Sequence, residues 1–165
     1  MRKFIGLLAI TLFVTACSDK KEVVSLSSEE TSVTKSENTP VSSIVISGDD
    51  RMKYDVTEFT VKAGQEISIE LKNIGEMPKD AMGHNLVILK PSTDVENFAK
   101  TSQSEAANDY IPESLKNEII ANTKLLGPGE SDMIKVTFNE VGDYNFICTF
   151  PNHYLFMKGI IKVVE

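Results

Sequence analysis

The stretch Cys148-Thr149-Phe150-Pro151-Asn152-His153-Tyr154-Leu155-Phe156-Met157 constrains this chain more than any other. It puts a thiol, an imidazole and a thioether on one loop, spaced Cys-x4-His-x3-Met, directly after an apolar strand pattern. Soft and borderline donors of this kind suit copper cycling between its two oxidation states. A mononuclear site built on one thiolate calls for two imidazoles beside it and a weak axial thioether. The chain has one histidine besides His153, namely His84 within Ala81-Met82-Gly83-His84-Asn85. Taken singly, each residue has a plainer use: a structural histidine, an inert buried thiol, or a methionine that fills a core. The combination makes His84, Cys148, His153 and Met157 candidate ligands of one copper ion.

The remainder of the chain sets the context for that loop. Met1 to Ala16 reads as a secretory signal, with Arg2 and Lys3 followed by an apolar stretch, Phe4 to Val14, too short to span a bilayer. It ends Val14-Thr15-Ala16-Cys17, which resembles a bacterial lipobox and makes Cys17 the lipidation site. Ser18 stands where an aspartate retains bacterial lipoproteins at the inner membrane, so the resemblance implies the outer membrane. Residues 17–43, rich in Ser, Thr, Glu and Lys and without an aromatic residue, read as a flexible tether. The net charge of −7 argues against a nucleic-acid partner. Loss of Arg2 and Lys3 with the signal takes it further from zero.

From Ile44 onward the pattern is β, which defines a folded domain over 44–165. Ile44-Val45-Ile46 is a short apolar run before the turn-prone Gly48-Asp49-Asp50. Tyr54, Val56, Phe59 and Val61 read as one extended stretch, and Ile67, Ile69 and Leu71 alternate with polar residues as in a half-buried strand. Leu86-Val87-Ile88-Leu89 is a continuous apolar run suited to a central strand. Ile134, Val136 and Phe138, then Tyr144, Phe146 and Cys148, then Gly159 to Val164 complete the set. Short strands at this spacing predict an all-β Greek-key sandwich. The exception is a polar, helix-prone flap over about 94–124, with helical turns predicted over Asp94–Lys100 and from Pro112 through Ile120.

Met82-Gly83-His84-Asn85 and Cys148-Thr149-Phe150-Pro151-x-His153-x-x-x-Met157-Lys158-Gly159 resemble the azurins, bacterial members of the cupredoxin family. Thr123-Lys124-Leu125-Leu126-Gly127-x-Gly129-Glu130 and Pro78-Lys79 extend the resemblance, which runs from about Ile44 to Lys162. It implies a cupredoxin-like sandwich in which His84, Cys148 and His153 are trigonal ligands and Met157 is the weak axial one. The Gly83 carbonyl would be a second, weaker axial contact. Asn85 would tie the two ligand segments together, and the Phe150 N–H would donate to the Cys148 sulfur. A docking patch of Met82, Pro151, Asn152 and Leu155 would surround the edge of His153. Phe150, Pro151 and Phe156 flank the loop and predict a dry shell around the metal.

The chain also departs from the family. Azurins carry a disulfide, but this chain has two cysteines, one assigned to lipid and one to copper. There is no tryptophan, and Asn152 and Leu155 replace residues that are more often smaller in azurins.

The function implied is one-electron transfer, without catalysis, by a monomeric envelope protein. Its transient partners would be redox proteins such as c-type cytochromes or copper and haem reductases. A copper storage or delivery lipoprotein is the alternative, and a metal-free binding module a further one. Two histidines cannot furnish a second copper centre of the kind oxidases and nitrite reductases need, and a dinuclear centre needs a cysteine where Asn152 stands.

Overall fold

The alternating residues of Glu66–Asn73 form a strand with Ile67, Ile69 and Leu71 buried and the intervening side chains facing outward. This strand, β4, is the centre of the first of two sheets in a computed structural model that describes residues 39–165. The signal, Cys17 and nearly all of the tether lie outside the described residues. Val41 N–H donates to the Thr60 carbonyl at 2.9 Å, so the domain is engaged slightly before Ile44.

The first sheet has the order β2-β1-β4-β7, built from β1 (Ser43–Asp49), β2 (Lys53–Tyr54), β4 and β7 (Ser131–Thr137). β1 and β4 run parallel, with Ile46 opposite Leu71, while β4 and β7 are antiparallel, with Ile67 opposite Val136. The second sheet has the order β3-β9-β8-β5-β6. Its strands are β3 (Glu58–Lys62), β5 (Val87–Leu89), β6 (Ile119–Asn122), β8 (Gly142–Ile147) and β9 (Lys158–Val164). The two sheets sandwich one core that includes Ile46, Ile69, Leu86, Ile88, Phe138, Phe146 and Ile161. Each such side chain contributes about 1.5–3 kcal/mol by leaving water. That is comparable to the roughly 2–4 kcal/mol a disulfide gives, and a few extra buried groups replace one.

Leu86-Val87-Ile88-Leu89 lacks alternation because both of its faces are covered. Leu86 and Ile88 belong to the main core, whereas Val87 and Leu89 pack with Phe98, Ala99 and Ile147 in a second cluster. Phe98 and Ala99 come from α2 (Val95–Ser102), which starts at Asp94, whose carboxylate accepts the Asn97 N–H at 3.0 Å. The flap is therefore helical where it covers the sheet. It continues through 3₁₀ turns at Ala106–Asn108 and Glu113–Glu118.

Two expectations are corrected here. The helical segment predicted through Ile120 stops at Glu118, because Ile119 and Ile120 are β-branched and enter β6, antiparallel to β5. The stretch from Tyr54 to Val61 is not one strand. Tyr54 pairs with Gly48 in the first sheet, and Phe59 pairs with Ile161 in the second, so the chain crosses the sandwich between them. Among the described residues no helix is long and apolar enough to cross a membrane.

Candidate metal centre

The loop from Cys148 to Met157 joins β8 to β9 and folds back on itself. Cys148 N–H donates to the Met157 carbonyl at 2.9 Å, which closes the loop at its base. Inside it, His153 N–H donates to Phe150 O at 3.0 Å, and Met157 N–H to His153 O at 2.8 Å. The turn requires Asn152 at φ +66°, a left-handed conformation that asparagine tolerates better than other non-glycine residues. This accounts for asparagine, among larger residues, at that position.

His84 reaches the site from the other side. It follows the short helix α1 (Lys79–Met82) and precedes β5, and it exchanges two backbone hydrogen bonds with Leu126, at 3.1 and 2.7 Å. Gly83 has no room for a side chain: a Cβ there would lie 2.6 Å from the Lys79 carbonyl and 3.0 Å from Leu125.

The structure brings Cys148, His84 and His153 together, with one ligand atom from each within 4.8 Å of the others. Cys148 Sγ and His153 Nδ1 are 3.6 Å apart, and the two imidazole rings are 5.1 Å apart between centroids. Donors about 2.0–2.3 Å from a metal in a trigonal plane are spaced by about that sulfur–nitrogen distance. Met157 belongs to the same cluster. A Cβ placed on Gly48 would meet His84 Cδ2 and Met157 Cε, each at 3.0 Å. All four side chains are buried, His153 being only 2% exposed.

The donor set has the chemistry of a cation site. His84 Nε2 is 3.1 Å from the Asp49 carbonyl, whereas His84 Nδ1 is buried with no hydrogen-bond partner. A buried nitrogen left orphaned beside a thiol and a second imidazole fits a metal ligand, because an unpaired polar atom is costly to bury. Burial holds His84 below the usual histidine range, against the pull of the Asp49 and Gly83 backbone and of the Asp49 and Asp50 charges. His153 is lowered to about 4, first by burial and then by the nearness of His84. Both rings are thus neutral and free to donate lone pairs near neutral pH. Burial pushes the Cys148 thiol up to about 12, while the backbone N–H groups of Asn85 and Phe150 and the Tyr54 hydroxyl favour the thiolate. A metal cation held by these residues would stabilise that thiolate.

Asn85 joins the two ligand segments. Its Oδ1 accepts the Thr149 N–H at 2.8 Å, and its Nδ2 donates to Thr149 Oγ1 at 2.8 Å and to the Asp109 carbonyl at 3.0 Å. Around the loop, Pro151 and Met82 are half-buried, Asn152 is exposed and Leu155 is 49% exposed. Phe156 does not close the shell as expected; it is 59% exposed and faces solvent. The inner wall is made instead by Phe150, whose ring centroid lies 4.6 Å from that of His153, with Tyr110 at 5.0 Å behind it.

Sequence reasoning passed over Gly48, Asp49 and Tyr54. The Gly48-Asp49-Asp50 turn was visible, but nothing local in it signals contact with His84, 35 residues later.

Comparison with known proteins fits the geometry. A sequence model of copper binding proteins, plastocyanin/azurin family, matches residues 41–164. Azurin from Alcaligenes faecalis is 36% identical over 126 residues, covering 73% of this chain and 96% of the relative. Outer membrane protein H.8 from Neisseria gonorrhoeae is 36% identical over 124 residues, covering 73% of this chain and 66% of that protein. Among solved structures, reduced auracyanin from Roseiflexus castenholzii superposes with a TM-score of 0.70 at 35% identity, over 77% of this chain and all of the other. An azurin from Methylomonas sp. strain J gives 0.67 at 30% identity, over 74% and 98%. Family, fold and donor set agree, and the chain belongs to the plastocyanin/azurin family of copper-binding proteins as an azurin-like cupredoxin that carries electrons on one copper ion.

Proposed function

We propose that this protein is a lipid-anchored one-electron carrier of the bacterial cell envelope, with His84, Cys148 and His153 holding copper and Met157 as the weak axial ligand. The Gly83 carbonyl would be a further, weaker contact in this reading. The observation that carries it is the buried convergence of one thiol and two neutral imidazoles, with His84 Nδ1 unpaired. Bound copper supplies a Cu(I)/Cu(II) couple.

The protein's residues do the rest. Leu126 and Asp49 hold His84 by its backbone and its outer nitrogen, and Asn85 holds the Cys148 segment beside it. Ligands fixed this firmly move little when the charge of the centre changes, which keeps reorganisation small. The Asn85 and Phe150 N–H groups moderate the charge on the Cys148 sulfur and so tune the potential. Complete burial of Cys148, His84 and Met157 excludes water and favours retention of the metal over delivery.

Docking belongs to the patch of Met82, Pro151, Asn152 and Leu155, to which we add the exposed Phe156. Partners of the c-type cytochrome or copper/haem reductase class would meet it through a small, transient interface. The anchor rests on Val14-Thr15-Ala16-Cys17, and the name of the Neisseria gonorrhoeae relative, outer membrane protein H.8, is in keeping with that placement.

The test is the electron self-exchange rate of the copper-loaded protein at fixed ionic strength. Leu155→Lys should slow exchange and leave spectrum and potential nearly unchanged; equal rates would move the port elsewhere. Separately, the wild type should partition with membranes and carry lipid mass, and Cys17→Ala should not. Wild-type protein wholly in the soluble fraction would reject the anchor.

A further inference from the structure

Tyr54 sits on β2 directly opposite Gly48, the glycine that packs against both His84 and Met157. Its ring crosses the sandwich interior and packs on Phe146 with centroids 5.7 Å apart. The hydroxyl is buried and donates to the Asn85 carbonyl, in the segment that carries His84. Phenylalanine would fill the same volume and make the same ring contact. A hydroxyl at this depth costs desolvation and is retained only with a partner. Its partner, Asn85, also ties the two ligand segments together through its side chain.

We propose that Tyr54 is a further positioning residue of the copper centre, its buried hydroxyl fixing the hydrogen-bond donors around the Cys148 sulfur and thereby raising the reduction potential. The inference rests on the reading that Cys148 and the two histidines hold copper. Two contacts carry it. The hydroxyl pins Asn85, whose backbone N–H acts on the Cys148 sulfur together with that of Phe150. The Tyr54 ring also packs on Phe146, on the strand that leads directly into Cys148. Donors around a copper-bound thiolate withdraw electron density from the sulfur, which favours the reduced state. Loosening them lets the sulfur donate more strongly to the oxidised metal, so the potential falls.

The experiment compares copper-loaded wild type with Tyr54→Phe by voltammetry, by the sulfur-to-copper charge-transfer band, and by thermal unfolding of the metal-free proteins. Both should be blue, and the variant should show a lower potential and a displaced band. An unchanged potential and band would overturn the proposal, whatever happens to the unfolding temperature, because a purely structural hydroxyl would move only that. A second variant, with 3-fluorotyrosine incorporated at position 54 alone, keeps the shape and strengthens the donor. It should raise the potential above the wild type, and it decides the matter should Tyr54→Phe fail to fold. A fluorinated protein at or below the wild-type potential overturns the proposal. Wild-type protein that never turns blue would overturn the copper reading itself, and this inference with it.

Discussion

Asn85 and Thr149 are joined twice through the Asn85 side chain: the Thr149 N–H donates to Oδ1 at 2.8 Å, and Nδ2 donates to Oγ1 at 2.8 Å. Each residue is the immediate neighbour of a proposed ligand, His84 on one side and Cys148 on the other. Asn85→Ala removes both bonds and leaves the Thr149 N–H buried without a partner. The expected cost is about 2–3 kcal/mol, since a buried donor loses its acceptor. Denaturant unfolding should show it in the metal-free domain, and copper affinity should fall as well. Unchanged stability would mean that the two segments are held together by other contacts.

Gly48 tests how tightly the cluster is packed. A methyl group there meets His84 Cδ2 and Met157 Cε at 3.0 Å, so one of them must yield. Met157 Cε is the free end of a flexible side chain and should move first. Gly48→Ala is expected to cost about 1–3 kcal/mol by overpacking. It should also shift the potential and the copper spectrum, although residue 48 ligates nothing. A stability change without any spectral change would place the added methyl away from the metal.

Met157→Leu addresses the axial position. The loop closes at Met157 through its backbone, which the substitution leaves in place. Losing a weak donor disfavours the cupric state, so the blue colour should persist and the potential should rise. A clear fall in potential, or loss of colour, would remove Met157 from the ligand set.

The metal-free protein should have a bounded pH range of stability. His153 is lowered to about 4 from the ordinary histidine value of 6.5, so between these values the unfolded chain binds a proton that the folded one does not. Stability therefore drops as pH falls from about 6.5 toward 4, by on the order of 3 kcal/mol in full. Cys148, raised from 9.0 to about 12, acts at the other end. There the folded state keeps a proton that the unfolded state loses, so stability drops again as pH rises above about 9. Copper loading near pH 7.5 should release close to one proton, from the Cys148 thiol. Urea titrations across pH 4–11 and proton-release measurements check these signs, and a flat profile below 6.5 would contradict the burial of His153.

The ligand loop was legible because its donors are local, three of the four candidate ligands falling within ten residues. The central strand was legible as a continuous apolar run, but the reason for its continuity was not, because Val87 and Leu89 face the flap rather than the main core. Ile119 and Ile120 were assigned to helix since Pro112 and the charged residues after it favour a helical start. Their pairing with β5 is a long-range fact that overrides that preference. Phe156 flanks the loop in sequence, which predicts a part in the dry shell, yet its side chain stands on the rim, and sequence adjacency does not say which way a side chain turns. Tyr54 and Gly48 could not be singled out because their significance comes from contacts across the sandwich, with Asn85, His84 and Met157.

The central claim is that one copper ion is bound by the Cys148 thiolate together with two imidazoles. It is tested most directly by the visible and electron paramagnetic resonance spectra of the copper-loaded domain beginning at Val41. One equivalent of copper should give an intense blue sulfur-to-copper band and the narrow copper hyperfine splitting of a strongly covalent thiolate site. Cys148→Ser should lose both, even where metal still binds. Weak, tetragonal-type absorption in the wild type, or a blue spectrum that survives in Cys148→Ser, would contradict the account.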